Sequence, residues 1–461
     1  MKLKAIAIAL GVAAVSFAHA DVNSQLSSLQ AQVNQLQSQV SSMGSSGSSM
    51  SGVVGLNSAL SMQMMDNQSG VGKELNLLTA RQNGMNQMLT LGGYAQGDAV
   101  YDNTNTKVGS TGIFINPGIA TNAVTQNSND ATRLFLTDAS LSTTVALGSW
   151  VTGYIQIGQS NVGEGTATTS FGIQDGYLVF GNLAQMPVYA FAGNKDIDFG
   201  NFSTVDIYNQ PLSRTLFQAH GNTAGVGVNA YGFNAVISAM NGGNQNTSGN
   251  QVSVGSNYQF ANMQTDNNSN INNFAANLSY GMTNGAISWD VGAGYLNGSA
   301  FLNNTTSSSH ATGETNGAWD VNGKVSAYGF DLLGEYVSTV SNTYASTHAF
   351  GGTTAQDASA WDVGADYNFP VMGFKSVVNA DYSGASVANN NNGGGNQYVI
   401  GYRVEAVNNV WGGLEYAYTT GVANYLSGVA GATSLSSVTI PATNGNKVHN
   451  STVALDITAA F

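Results

Sequence analysis

The chain has 461 residues, of which 42% are hydrophobic and 8% charged, with 57 glycines and 5 prolines. Charge is far scarcer than in an ordinary soluble domain, proline is too rare for a collagen-like or proline-rich linker protein, and no stretch is apolar enough to span a bilayer as a helix. A net charge of −13 argues against nucleic acid or anionic headgroups as partners.

The amino terminus reads as a secretion signal. Lys2 and Lys4 form the positive region, Ala5 to Phe17 the apolar region, and Ala18-His19-Ala20 the cleavage site. Thirteen residues are too few to span a membrane, so an anchor is excluded. The chain holds no cysteine, which rules out disulfides, thiolate metal sites and a lipidated cysteine. Cleavage after Ala20 removes 2 of the 12 basic residues and none of the 25 acids, leaving a net charge of −15.

Leu26, Leu29, Val33, Leu36, Val40 and Met43 recur at alternating spacings of 3 and 4, the a/d seam of a coiled coil. The flanking positions, Gln25, Gln30, Gln32, Gln37 and Gln39, are neutral, so no charge pattern selects a foreign partner and the seam favours self-association. The competing reading is a lone amphipathic helix, because about three heptads are marginal by themselves. Ser41 to Gly52 is a Gly/Ser linker by composition. From Val53 to Leu89 the apolar residues return at loosely helical spacing, either as a second periplasmic helix or as a segment folded into a barrel mouth; both placements stay open. A methionine stripe there is packing more often than a metal site. The expected organisation is thus signal peptide 1–20, coiled coil 21–43, linker and helical segment 44–90, and barrel 91–461.

Beyond Gly92 the period changes to two. Trp361, Val363, Ala365, Tyr367 and Phe369 share one face, and Asp362, Gly364, Asp366 and Asn368 the other. Aromatics near the ends of an apolar face, opposite small polar residues, are the lipid-out, water-in pattern of a transmembrane barrel. Runs of this kind fall near 91–101, 132–146, 150–160, 171–181, 188–195, 224–231, 233–241 and 272–282, then near 286–298, 317–328, 330–340, 358–368, 373–384, 396–406, 409–420 and 448–461. Connections after even-numbered runs are short (Gly148-Ser149, Tyr231-Gly232, Gly329), and most after odd-numbered runs are long and rich in Asn, Ser and Gly. This predicts an all-β transmembrane barrel of about 16 antiparallel strands, with tight periplasmic turns, long external loops and both chain ends in the periplasm. The final run, Val453 to Phe461, ends on an aromatic residue and resembles the signal read by the barrel-insertion machinery.

Enzymatic constellations are absent: no G-x-S-x-G elbow, no H-E-x-x-H and no cofactor or metal-ligand set. His220, His310, His348 and His449 are isolated and read as solvated, and Asp196-Ile-Asp198 with Asp206 lacks the order of a calcium loop. Alternation points Asp290, Asp320, Lys324, Asp331, Glu335, Asp362, Asp366, Lys375, Asp381, Arg403, Glu405, Glu415 and Asp456 inward. Acids outnumber bases 10 to 3 in that set, predicting a wet, negative lumen in which most of these charges simply face water. The connection from Asp196 to Thr223, with Asp196, Asp198, Asp206 and Arg214 among Phe199, Phe202 and Tyr208, is the candidate constriction loop.

The segment Asp175 to Gly193 (DGYLVFGNLAQMPVYAFAG), continuing through Asn194-Lys-Asp-Ile-Asp-Phe-Gly-Asn-Phe-Ser203, together with the glutamine-rich coil, resembles the LbtU-like siderophore porin family. That resemblance implies an outer-membrane barrel taking up ferric siderophores without a TonB-dependent plug, and residues 21–90 are indeed too few for such a plug. The coil-then-barrel layout is also similar to DcaP-like trimeric porins. The expectations are a bacterial outer-membrane homotrimer contacting lipid, with a siderophore or another small solute as cargo. A general diffusion porin for cationic or neutral solutes, and a structural or adhesive surface barrel, are the alternatives.

Overall fold

The computed structural model describes residues 54–65, 71–85, 87–104, 130–162, 172–241, 261–262, 271–299, 317–340, 358–386, 394–422 and 447–461. The coiled-coil seam from Leu26 to Met43 and the signal peptide lie outside them. Two units divide the chain, Met1–Gly55 and Leu56–Phe461, and the barrel belongs to the second.

Its strands are β1 (Leu89–Thr104), β2 (Asp130–Leu147), β3 (Val151–Val162), β4 (Gly172–Gly181), β5 (Val188–Asp196), β6 (Ala219–Ala230), β7 (Phe233–Asn241) and β8 (Ile271–Asn284). They continue as β9 (Ile287–Leu296), β10 (Ala318–Ala327), β11 (Phe330–Thr339), β12 (Ser359–Val371), β13 (Phe374–Ser386), β14 (Gly394–Val407), β15 (Val410–Val422) and β16 (Lys447–Ala460). Two short extended pieces, Val54–Leu56 and Ala261–Asn262, are not counted among these sixteen. Each strand pairs antiparallel with its neighbours in sequence, and β16 pairs with β1 from Asn450↔Thr104 to Ala460↔Tyr94. Closure leaves no ladder edge to face hydrocarbon, the condition for strands to cross a membrane. Each of the sixteen expected runs coincides with one observed strand.

Alternation sorts the side chains as the sequence implied. Val363 is 50% exposed on the outside while Asp362 beside it is 2% exposed on the inside. Ring pairs such as Trp319–Tyr336, Phe330–Tyr367 and Tyr382–Tyr398 form an external aromatic belt along β7 to β14. At one end of the barrel the turns are minimal. Tyr231-Gly232, Tyr328-Gly329 and Met372-Gly373 each place both central residues at positive φ, the primed turn whose twist matches that of the strands it joins. The helices are α1 (Ser58–Gln63), α2 (Lys73–Gln82) and α3 (Leu212–Phe217). Asn57 caps α1 by accepting from the Leu60 amide at 3.0 Å. In α2, Glu74 in the first turn and Arg81 in the last suit the helix dipole.

Candidate functional site

Pairing of β5 with β6 ends at Asp196↔His220, and residues 197–218 then leave the wall and lie across the lumen. Their sequence suits an interior position. Ile197, Phe199, Phe202, Val205, Ile207, Leu212 and Leu216 are all buried, so the excursion packs inside the barrel. Five of its backbone amides, which have no ladder partner, are taken up by carboxylates of the far wall. Glu335 on β11 accepts from the Asn201 amide at 2.9 Å and the Phe202 amide at 2.8 Å. Glu415 on β15 accepts from Ile207 (2.6 Å), Tyr208 (3.2 Å) and Asn209 (2.7 Å). Ser213 of α3 donates to Asp362, and Arg214 donates to the Phe202 carbonyl at 3.0 Å, tying the two limbs of the excursion together. On the wall beneath, Gly364 supplies the clearance: a Cβ there would stand 2.9 Å from Val205.

This cover changes the reading of the inward acids. Asp320, Glu335, Asp362, Asp381, Glu415 and Asp456 were expected to face water, yet all are buried. The physical reason is that alternation fixes the face of a strand but not what lies over it. Asp206 sits among these carboxylates; burial, and then Asp381, Glu415 and Asp362, hold its carboxyl well above the ordinary value of 3.8. Most of the remaining inward charges keep access to solvent. Lys324 lies 3.5 Å from Asp331, Asp290 faces Lys324 across β9 and β10, and the exposed Lys375 meets the buried Glu405 at 2.8 Å near the short-turn end. Arg403 stacks 5.4 Å from the centroid of Trp411, and Asp366 stands opposite Asp331 in register. Asp290, Lys324, Asp331, Asp366, Arg403, Lys375 and Glu405, on β9 to β14, therefore line the lumen toward the short-turn ends of those strands, where the excursion does not cover them.

The side of the lumen lined by β3 to β5 is filled. Leu60, Met64, Leu77, Leu78 and Met85 from the segment before β1 pack against Tyr154, Tyr177, Val179, Tyr189 and Phe191 of the inner wall. Burying side chains of this size stabilises by about 1.5–3 kcal/mol each. Of the two placements open for Val53 to Leu89, the described residues occupy the one inside the barrel. Charges flank this apolar contact. Lys73 lies 3.2 Å from both Asp175 and Asp196, and Lys195 lies 3.0 Å from Glu74 and 2.8 Å from Asp198. His220 approaches Asp196 at 3.2 Å and Asn194 at 2.5 Å. Asp196 and Asp198 are thus buried in ion pairs, and His220 is a partly buried partner of Asp196, not an isolated solvated side chain; His310 and His348 lie outside the described residues. Sequence reasoning missed Lys73, Glu74, Asp175 and Lys195, because nothing local marks a lysine or glutamate whose counter-charge comes from a distant strand. Among the described residues, no His, Asp or Glu group is arranged to hold a metal ion.

A closed sixteen-stranded antiparallel barrel, with short turns at one end and one connection laid across the lumen, is the architecture of the porins. The structure is similar to the outer membrane channel DcaP of Acinetobacter baumannii at 15% identity and a TM-score of 0.51, covering 81% of this chain and 97% of that one. It is similar to Pseudomonas putida OprB at 10% identity and a TM-score of 0.51, covering 86% and 99%, and to Salmonella typhi OmpF at 12% and 0.50, covering 81% and 97%. No protein-family model matches the chain, and neither does any curated protein.

Proposed function

We propose that the chain is an outer-membrane channel for passive or facilitated passage of small solutes, working as a homotrimer. The observation that carries this reading is the 197–218 connection, clamped through Glu335 and Glu415 across a lumen whose remaining free wall is charged and wet. A barrel serving only as a surface scaffold has no need of an internal crossbar anchored on buried carboxylates. An architectural parallel supports it: the Acinetobacter baumannii protein is described as an outer membrane channel. Stepwise conductance in planar bilayers tests the channel; a silent bilayer would leave the adhesive or structural barrel as the better reading.

For the cargo, the resemblance of residues 175–203 to the siderophore porins supports ferric-siderophore uptake without a plug domain. A general diffusion porin for cationic or neutral solutes is equally compatible with an inner face whose acids outnumber its bases. Loss of growth on the organism's own ferric siderophore as sole iron source, in a deletion strain, would favour the first. Undiminished growth would favour the second.

Self-association is supported from the outer surface. The aromatic belt of β7 to β14 suits a lipid interface, whereas the outward faces of β16, β1 and β2 carry Leu455, Ile457, Ala95, Ala99, Ala139 and Leu141, small and aliphatic residues suited to packing against another copy.

A further inference from the structure

We infer that helix α2 is a permanent inner wall of the channel, a bore-setting element that closes to solutes the side of the lumen lined by β3 to β5. This rests on the channel reading above. A barrel lumen of this size is ordinarily polar on its inner face. Here the inner face of β3 to β5 carries Tyr154, Tyr177, Tyr189 and Phe191, each at most 3% exposed, in one buried cluster with Leu77 and Leu78 of α2, Leu60 and Met64 of α1, and Met85. A wall built for water would not present four aromatic rings in succession; this one is built to receive a helix.

The charges point the same way. Lys73 and Glu74 are consecutive and opposite in sign, and each meets its complement on the barrel: Lys73 meets Asp175 and Asp196, and Glu74 meets Lys195. Both are buried to within 1% of completely. An uncompensated charge at such depth would be strongly unfavourable, so the two helix residues and the wall specify one register. The far end of α2 is fastened too, since Arg81 donates to the Val151 carbonyl at 3.0 Å and to Thr152 Oγ1 at 2.8 Å. Helix and wall are complementary at three successive points: charge, apolar contact, charge. The inward residues Asp290, Lys324 and Asp366, toward the short turns of β9, β10 and β12, stay partly exposed, so the lumen remains open beside them.

The chain has no cysteine, so Leu78→Cys introduces a unique thiol. In the full-length chain in liposomes, a membrane-impermeant maleimide should label this thiol slowly, and adding the charge reversals Lys73→Glu and Glu74→Lys should raise the rate about tenfold or more as the helix undocks. In planar bilayers, Lys73→Glu/Glu74→Lys/Leu77→Asp should raise the unitary conductance about twofold and admit larger polyethylene glycols, as expected when a lining element leaves a pore. These substitutions leave the barrel strands untouched, and heat-modifiable electrophoretic mobility verifies that the barrel is closed. Rapid labelling of Leu78→Cys in the otherwise unaltered chain would overturn the inference. So would fast labelling of the charge-reversed chain with no change in conductance or exclusion size. Absence of stepwise conductance in every variant would instead sink the channel reading, while the labelling rates would still decide whether the helix is docked.

Discussion

Glu415 holds Asn209 twice through one oxygen: its Oε1 accepts from the Asn209 amide at 2.7 Å and from Asn209 Nδ2 at 2.6 Å, while its Oε2 takes the Ile207 amide at 2.6 Å. One wall carboxylate thus replaces the ladder that residues 207–209 lack. Glu415→Ala leaves three buried amides without an acceptor and should cost about 3 kcal/mol or more. The expected readouts are a lowered thermal unfolding midpoint in detergent and a noisier, larger unitary conductance. An unchanged midpoint would mean that the crossbar is held elsewhere.

Selectivity should be set by the exposed charges and not by the ion-paired ones. Asp331→Asn/Asp366→Asn removes two facing acids from the uncovered part of the lumen and should lower the cation-over-anion permeability ratio, by about twofold. Asp196→Asn strips Lys73 of one of its counter-charges and should act on stability instead, costing up to about 3–5 kcal/mol. Reversal potentials in a salt gradient separate the two effects. A large shift in Asp196→Asn with none in the double variant would invert the assignment.

Asp206 gives the excursion a pH dependence of definite sign. Its folded-state carboxyl is held well above 3.8 by burial and then by Asp381, Glu415 and Asp362. The folded barrel therefore retains this proton at pH values where the unfolded chain releases it. The contribution to stability is complete below the unfolded value of about 4 and is lost as the pH rises. Asp206→Asn abolishes that loss, so the variant should gain on the parent chain progressively as the pH rises above about 4 in thermal unfolding. A constant difference across that range would be inconsistent with this account.

Two arginine substitutions on the outer face should part company. Leu332→Arg lies within the aromatic arc facing lipid and should cost about 2–4 kcal/mol of barrel stability if near the bilayer midplane, with the oligomer preserved. Leu455→Arg lies on the aliphatic arc and should dissociate the proposed homotrimer into monomers, visible by light scattering in detergent. Intact oligomers with Leu455→Arg would place the contact between copies elsewhere.

The strands were legible because a membrane barrel repeats one rule, apolar outward and polar inward, over every crossing; the run from Trp361 to Phe369 states it in nine residues. The candidate crossbar was legible as a long, aromatic-bearing connection between β5 and β6. What it rests on was not. Glu335 and Glu415 read as two more inward acids, because their partners at Asn201, Phe202 and Ile207 to Asn209 lie 133 to 208 residues away in sequence. The same holds for Lys73 and Asp175, 102 residues apart. Local periodicity reports the direction of a side chain, whereas burial depends on which distant segment arrives above it. For that reason the alternation predicts a wetter lumen than the one observed.

The seam between β1 and β16 carries one more implication. Gly93 and Phe461 exchange a pair of backbone hydrogen bonds, at 3.1 and 2.9 Å, and through them two strands from opposite ends of the barrel sequence become neighbours. Every other adjacent pair can zip as soon as its hairpin exists. β1 must wait until all the rest has been made, and during that wait both β1 and β16 offer raw ladders that would bind any passing strand. A ring of this kind has no stable two-thirds. Closure at this seam depends on every other strand, so substitutions at Gly93, where a Cβ would stand 2.7 Å from the Phe461 ring, should impair assembly of the barrel.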